Sequence, residues 1–227
     1  MFLKTIDDKA KFKFKILSRI YWKLWFGRER IALKSIMEVE MTKKAIGAGS
    51  YLYPMPTVLI GTLVHGKPNF ITIAYCGIVN HEPPVFTFGS DKNHYSNLGI
   101  KQNGCFSVNL PSVKLLAQTD FCGTVSGRET DKSRLFKIFY GKLERAPMID
   151  ECPLTMECKL IKVDETIGSH EIFLGEIVET YVENECLNNG IPDIAKLDPV
   201  LFSMYDWRYW KVGDNVGHVG HESKKVK

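Results

Sequence analysis

What most constrains the fold is a change of hydrophobic period along the chain. Over residues 9–36 the apolar side chains recur at helical spacing, whereas from residue 57 onward they alternate one in two among β-branched residues. The two periods belong to different secondary structures. A helical N-terminal segment followed by a mostly β body is therefore expected.

In the first segment Phe14, Leu17, Tyr21 and Leu24 form one stripe and Lys15, Arg19 and Lys23 a second, while Ile20, Trp22, Trp25 and Phe26 widen the apolar surface. The spacing predicts a basic amphipathic helix. Its apolar stretch is too short and too charged to span a bilayer. Three readings stay open: packing on its own domain or a partner subunit, which is expected over the second, peripheral contact of residues 9–36 with an anionic membrane, and, third, an upstream extension foreign to a core domain that begins near Met41. Residues 1–40 hold ten Lys/Arg against five Asp/Glu, and the remainder 20 against 21. The body is thus close to neutral and carries no nucleic-acid footprint. The expected organisation is a helical extension over 1–40 and a β domain over 41–227.

In the β body, Thr57–His65 reads as a strand, Gly66-Lys67 as a turn and Asn69–Ile78 as one returning strand. The two prolines of Asn80–Pro84 mark a loop, and Val85–Gly89 is a third strand. Tyr95–Gln102 is expected as a short helix ended at Asn103-Gly104, followed by a strand over Cys105–Leu110. Ser112–Phe121 reads as a helix with Ser112 as N-cap. A polar loop over Gly123–Lys132 leads to a helical turn at Ser133–Tyr140. Leu154–Val163 and Glu171–Val182 are two longer strands, Asn188-Asn189-Gly190 is a turn, and Leu201–Tyr205 with Arg208–Val212 are expected to close the barrel. The fold class expected is mostly β: an antiparallel barrel with a few short helices.

The six cysteines, at 76, 105, 122, 152, 158 and 186, contain no CxxC pair and no spacing that suggests zinc, so no metal site is expected. Without a small-residue secretory cleavage site, free thiols in a reducing cytoplasm are the expectation. P-loop, GxGxxG, HExxH and GxSxG motifs are all missing, which argues against a Rossmann nucleotide site.

Two segments have the chemistry of a site. Ser90-Asp91-Lys92-Asn93-His94-Tyr95-Ser96 joins a strand to a helix N-terminus with hydroxyls and a lysine, which suits a phosphate dianion. On residue types alone it also reads as a helix-capping loop with a solvated lysine. Ser126-Gly127-Arg128-Glu129-Thr130-Asp131-Lys132 is either an anion clamp or a charged surface turn. His170, at the head of a strand, is either structural or a ligand and proton-relay residue. The aromatic run Tyr205-Asp206-Trp207-Arg208-Tyr209-Trp210 reads as packing, with stacking of the cluster on a planar cofactor left open.

The order of these segments resembles that of the flavin-reductase-like FMN-binding split barrels, the family of flavoredoxins and ferric reductases. The likeness runs from about Ala45 to Gly220. It rests on Tyr53-Pro54-Met55-Pro56-Thr57-Val58, Asn69–Gly77, Glu82-Pro83-Pro84, Ser90–Ser96, Phe106–Pro111, Ser126-Gly127-Arg128 with Asp131-Lys132, Gly168-Ser169-His170 with Gly175-Glu176-Ile177, and Tyr209–Gly213. The resemblance implies a split β-barrel and a homodimer with one FMN per subunit. It implies that Thr72, Ile73, Ala74 and Tyr75 lie along the isoalloxazine ring, with Asn69 on the same segment. It further implies that Ser90, Lys92, His94 and Ser96 hold the ribityl phosphate, with Arg128 and Lys132 in support, and that His170 sits near the nicotinamide or acceptor side as the catalytic candidate. The activity implied is electron transfer from NAD(P)H or a reduced partner protein to a flavin, ferric or protein acceptor. A non-enzymatic electron carrier is the alternative. Residues before Met41 have no counterpart in the family pattern, Ser96 stands where threonine is usual, and Ser133 where an aromatic is common.

Overall fold

The computed structural model describes residues 42–166 and 168–226. The helix expected over 9–36 and the expected boundary between residues 40 and 41 lie outside the described residues. The fold occupies the compact unit Ser50–Lys227.

The described residues form fourteen strands and three α-helices. They are β1 (Met55–Pro56), β2 (Val58–Val64), β3 (Lys67–Ile73), β4 (Cys76–Asn80), β5 (Val85–Asp91), α1 (Ser96–Asn103), β6 (Cys105–Leu110), α2 (Leu116–Thr124), β7 (Ile138–Phe139), β8 (Met148–Ile149), β9 (Leu154–Asp164), β10 (His170–Val182), β11 (Leu187–Asn188), β12 (Ile191–Pro192), α3 (Ile194–Leu197), β13 (Val200–Ser203) and β14 (Arg208–Lys211). Seven of the strands form one antiparallel sheet in the order β3-β2-β6-β9-β10-β5-β4.

That order forces curvature. β3 and β4 are at opposite edges of the sheet, yet only Ala74 and Tyr75 separate them in the chain. Three Cα–Cα steps from Ile73 to Cys76 reach at most about 11 Å, so the edges must come together and the sheet must curl into a barrel. No ladder joins β3 to β4 among the described residues, which leaves the barrel split along that seam. The single returning strand expected over Asn69–Ile78 is therefore two strands. Its apolar pattern runs on without a Gly or Pro to mark the crossing. β13 pairs with β1 and β14 with β13 in a separate three-stranded sheet rather than closing the barrel.

Period two fills the barrel. Val58 and Ile60 of β2, Ile71 and Ile73 of β3, Phe86 and Phe88 of β5, and Phe106 and Val108 of β6 meet Cys158 and Phe173 in one buried cluster. Phe88 stacks on Phe173 at 4.9 Å and meets Phe106 edge-on at 5.2 Å. The alternate residues Leu59 and Phe70 face outward into a second cluster with Leu115, Cys122, Phe136 and Ile149. α1 packs against β2 and β6 and contributes Ile100 to the interior cluster. Gly99 lets this helix approach, because a Cβ there would collide with the carbonyl of Leu63. The helix expected at Ser112–Phe121 is a 3-10 turn over Val113–Leu115 running into α2, and Ser112 sits at its start without a side-chain capping bond. The β11–β12 turn has Asn189 and Gly190 both at positive φ, as a two-residue hairpin requires.

Candidate functional site

The seam opens a groove with two unlike halves. The first is a cleft of about 390 Å³ between the end of β3 and the β13–β14 hairpin. Thr72, Ile73, Ala74 and Tyr75 form one wall, and Phe202, Met204, Trp207 and Tyr209 the other. Asp91 and His170 close the side formed by β5 and β10, and Asp120 and Gly123 of α2 the opposite side. His170 pairs in register with Asp91, and its ring meets Tyr75 edge-on at 5.6 Å. The Tyr75 carbonyl accepts from Gly89 N–H at 2.8 Å, which fixes the crossing residue against β5. Thr57 Oγ1 is buried on the cleft wall with no hydrogen-bond partner among the described residues. An orphaned buried hydroxyl is costly and suits a site that receives a polar edge of a ligand.

The second half is a pocket of about 280 Å³ sharing His94, Gly123 and Thr124 with the first. Lys132 and Arg128 line it and no carboxylate does. Lys132 is 3% exposed, and its ammonium donates to the carbonyls of Phe70 at 3.1 Å and Cys122 at 2.8 Å. With three donors and two carbonyl acceptors, one N–H is left for the pocket. Burial pushes its pKa below the ordinary lysine value, so the site is electrostatically unsatisfied until an anion enters. Asn69 donates to Ser96 Oγ at 2.7 Å, which leaves the Ser96 hydroxyl hydrogen free to serve a ligand. Arg128 donates to the carbonyl of Asn93 at 2.9 Å and lies 5.2 Å from the Tyr95 ring centre. Gly127 packs so tightly on Asn69 that a Cβ would overlap the amide.

Asn69, His94, Ser96, Arg128 and Lys132 are thus brought together around an anion-shaped pocket, and Thr72, Ile73, Ala74, Tyr75 and His170 around the cleft. Ser90 and Lys92 are not placed on either wall. Ser90 is 1% exposed and hydrogen-bonded to Asn97 at 2.7 Å and His94 at 2.9 Å. The Lys92 side chain is exposed and has no hydrogen bond among the described residues, while its backbone N–H donates to the carbonyl of Ser169. The buried cation is Lys132 instead. Residue reasoning missed Asp120, Thr57 and the hairpin residues Phe202, Met204 and Trp207. Tyr209, which it left open as a neighbour of a planar group, donates to Asp120 Oδ1 at 2.9 Å. Burial and that carboxylate push the Tyr209 phenol up to about 12.

The cysteines are all free, and burial raises each thiol above its ordinary value, Cys122 to about 11 and Cys76 to about 12. None is a thiolate at neutral pH. Among the described residues no His/Cys/Asp/Glu group is placed to hold a metal, and no helix is long and apolar enough to cross a membrane.

An antiparallel barrel split along one seam, with a two-part groove at the split, defines the class of protein. The sequence profile of the flavin reductase like domain matches residues 50–207, and the chain belongs to that family. A flavoredoxin from Methanosarcina acetivorans is 43% identical over 82% of this chain and 99% of its own, with a TM-score of 0.79. The flavoredoxin of Desulfovibrio vulgaris (Miyazaki F) is 32% identical over 80% of this chain and 100% of its own, with a TM-score of 0.74. The FMN-binding protein from Thermus thermophilus shares the fold at 22% identity and a TM-score of 0.67, covering 78% and 98% of the two chains.

Proposed function

We propose that the protein binds FMN non-covalently in the seam groove and transfers electrons, as a flavin reductase or flavoredoxin-type oxidoreductase. The observation that carries this reading is the buried, uncompensated Lys132 ammonium at one end of a groove whose other end is a flat cleft beside the β3 backbone. A planar ring with a phosphorylated tail has that shape and charge distribution. The likeness to flavoredoxins at 43% and 32% identity, and to a fold relative described as FMN-binding, supports the same ligand.

In this reading the residues divide the work. Lys132, Arg128 and Ser96 bind the phosphate, and Asn69 orients Ser96 by its 2.7 Å hydrogen bond. The backbone of Thr72–Tyr75 and the orphaned Thr57 hydroxyl orient the ring edge. His170 and Tyr75 stand beside the ring and border the space where a donor or acceptor would approach. Bound FMN supplies the redox chemistry, as a hydride or single-electron acceptor and donor. A catalytic acid–base pair is not needed for hydride arrival at a flavin.

Two donors fit, NAD(P)H or a reduced partner protein, and the second corresponds to the carrier role of a flavoredoxin. Stopped-flow mixing of the FMN-loaded protein with NADH and NADPH separates them. Bleaching of the flavin band establishes a reductase, and a flavin that stays oxidised with both leaves the carrier. A protein that binds no FMN in a spectroscopic titration overturns both. The partner subunit proposed is a second copy of the chain. Edge strand β4 exposes Ile78 (60%) and Val79 (55%) beside an apolar hollow lined by Tyr75, Cys76 and Ile172. Light scattering is expected to give the mass of a dimer. Six protonated thiols suit a reducing compartment such as the cytoplasm.

A further inference from the structure

A chain of hydrogen bonds runs from the surface into the middle of the groove. Lys101 Nζ donates to Glu171 Oε1 at 2.8 Å. Asn97 Nδ2 donates to Glu171 Oε2 and to the Asp91 carbonyl, both at 2.9 Å. The Ser90 hydroxyl donates to Asn97 Oδ1 at 2.7 Å, and Ser90 Oγ lies 2.9 Å from His94 Nδ1. Ser90, Asn97 and Glu171 are 1%, 2% and 5% exposed, so water does not substitute for these bonds.

Each link fixes the next. Glu171 and the Asp91 carbonyl only accept, so they take the Asn97 amide hydrogens. A flipped amide would aim its oxygen at a carboxylate. Oδ1 therefore faces Ser90 and needs its single hydrogen. Ser90 then has only a lone pair to offer His94, and Nδ1–H must be the donor. The neutral ring is locked as the Nδ1–H tautomer. Its other nitrogen, Nε2, has no hydrogen-bond partner among the described residues, and His94 lines both halves of the groove.

We propose that His94 makes the anion end of the groove proton-linked: a phosphate-type dianion, which carries only acceptor atoms, meets a bare lone pair at Nε2 and is bound there by drawing one solvent proton onto the ring. This deepens the flavin reading and rests on its placing a phosphate in this groove. Asn97 and Glu171 are positioning residues that act through Ser90. The charged groups facing His94 are Asp91 of β5, which favours the imidazolium, and His170 of β10 with Lys132 and Arg128 from the segment after α2, which oppose it. Burial is the largest influence and holds the ring below its ordinary value in the empty groove. An entering dianion reverses that balance. Uptake approaches one proton per anion between the ligand-free and the ligand-bound pKa of His94, and vanishes below the first, where the ring is already charged, and above the second, where it stays neutral.

Titration calorimetry of the full chain at about pH 8, above the ordinary imidazole range, tests this with inorganic phosphate and with FMN. Two buffers of different ionisation enthalpy give the proton count. The wild type is expected to take up close to one proton more than Ser90→Ala or Asn97→Ala. Ser90→Ala releases Nδ1, and Asn97→Ala turns the Ser90 hydroxyl towards it. Either change lets the neutral ring become Nε2–H and donate without gaining a proton. Lys132 is common to all three proteins, so the difference belongs to His94. Nitrogen NMR of the ligand-free protein reads the tautomer directly, with Nδ1 protonated in the wild type and Nε2 in the variants. A bare Nδ1 in the wild type, or equal uptake in all three proteins, overturns the proposal. Phosphate bound with uptake but FMN not bound overturns the flavin reading alone, and failure of both probes to bind overturns both.

Discussion

The two ends of the groove are built by opposite means. At the anion end the key groups are buried and tied to several elements at once: Lys132 to β3 and α2, Asn69 to α1, and His94 through Ser90 and Asn97 to β10. At the ring end one wall is a strand backbone. The other is a hairpin whose tip holds Trp207, 76% exposed and at a φ of 54°. A bulky residue in left-handed backbone is strained. Rigid donors with buried partners suit a ligand that stays. An exposed aromatic on a strained hairpin tip suits molecules that come and go. The family resemblance touches both ends, through Ser90–Ser96 and Ser126–Lys132 at the first and through Thr72–Tyr75, His170 and Tyr209 at the second, where donor and acceptor would be chosen.

The strongest challenge to this contrast is Lys132→Met. Loss of one buried charged hydrogen bond, roughly 1.5–3 kcal/mol, is expected to weaken FMN binding by about one to two orders of magnitude in a fluorescence titration. Affinity kept within about twofold would move the phosphate out of this pocket. Gly127→Ala drives a Cβ into Asn69. Overpacking of roughly 1–3 kcal/mol is expected to lower both thermal midpoint and FMN affinity. Tyr209→Phe removes the hydrogen bond to Asp120 that ties the hairpin to α2. A cost of about 1 kcal/mol in denaturant unfolding is expected, with FMN affinity nearly intact. If affinity instead falls as far as in Lys132→Met, the hairpin is part of the anchor and the contrast fails. The smallest effect is expected from Trp207→Gly, which relieves the left-handed strain and changes stability by no more than about 1 kcal/mol. Its signature is an altered rate of flavin reduction or reoxidation at unchanged FMN affinity.

The strands were legible as short runs bounded by turn residues: burial alternates along Val85–Asp91 from Phe86 onward, whereas Val58–Val64 and Cys105–Leu110 are buried on both faces. The site was legible in part. Ser90 was expected on a loop facing a phosphate, but β5 continues to Asp91, two residues past the expected end at Gly89. Parity then turns Ser90 to the same side as Phe86 and Phe88, where it is buried. Lys92, one residue beyond the strand, points to solvent. Lys132 reads as one charge in a polar loop until that loop folds over β3, and no local pattern announces that contact. The hairpin wall was hidden for a related reason. Phe202 and Trp207 reach the cleft through the pairing of β13 with β1, a partner more than a hundred residues away in the chain.

The seam at Ala74 and Tyr75 has a consequence for exchange with solvent. Every other strand boundary in the seven-stranded sheet is closed by backbone pairing, whereas the facing edges of β3 and β4 have no ladder between them. Edge amides there are expected to trade deuterium early in the ligand-free protein, ahead of β6 and β9 at the centre of the sheet. A ligand lying along the seam would slow them selectively. The barrel would then be a hoop whose last stave is the molecule it carries.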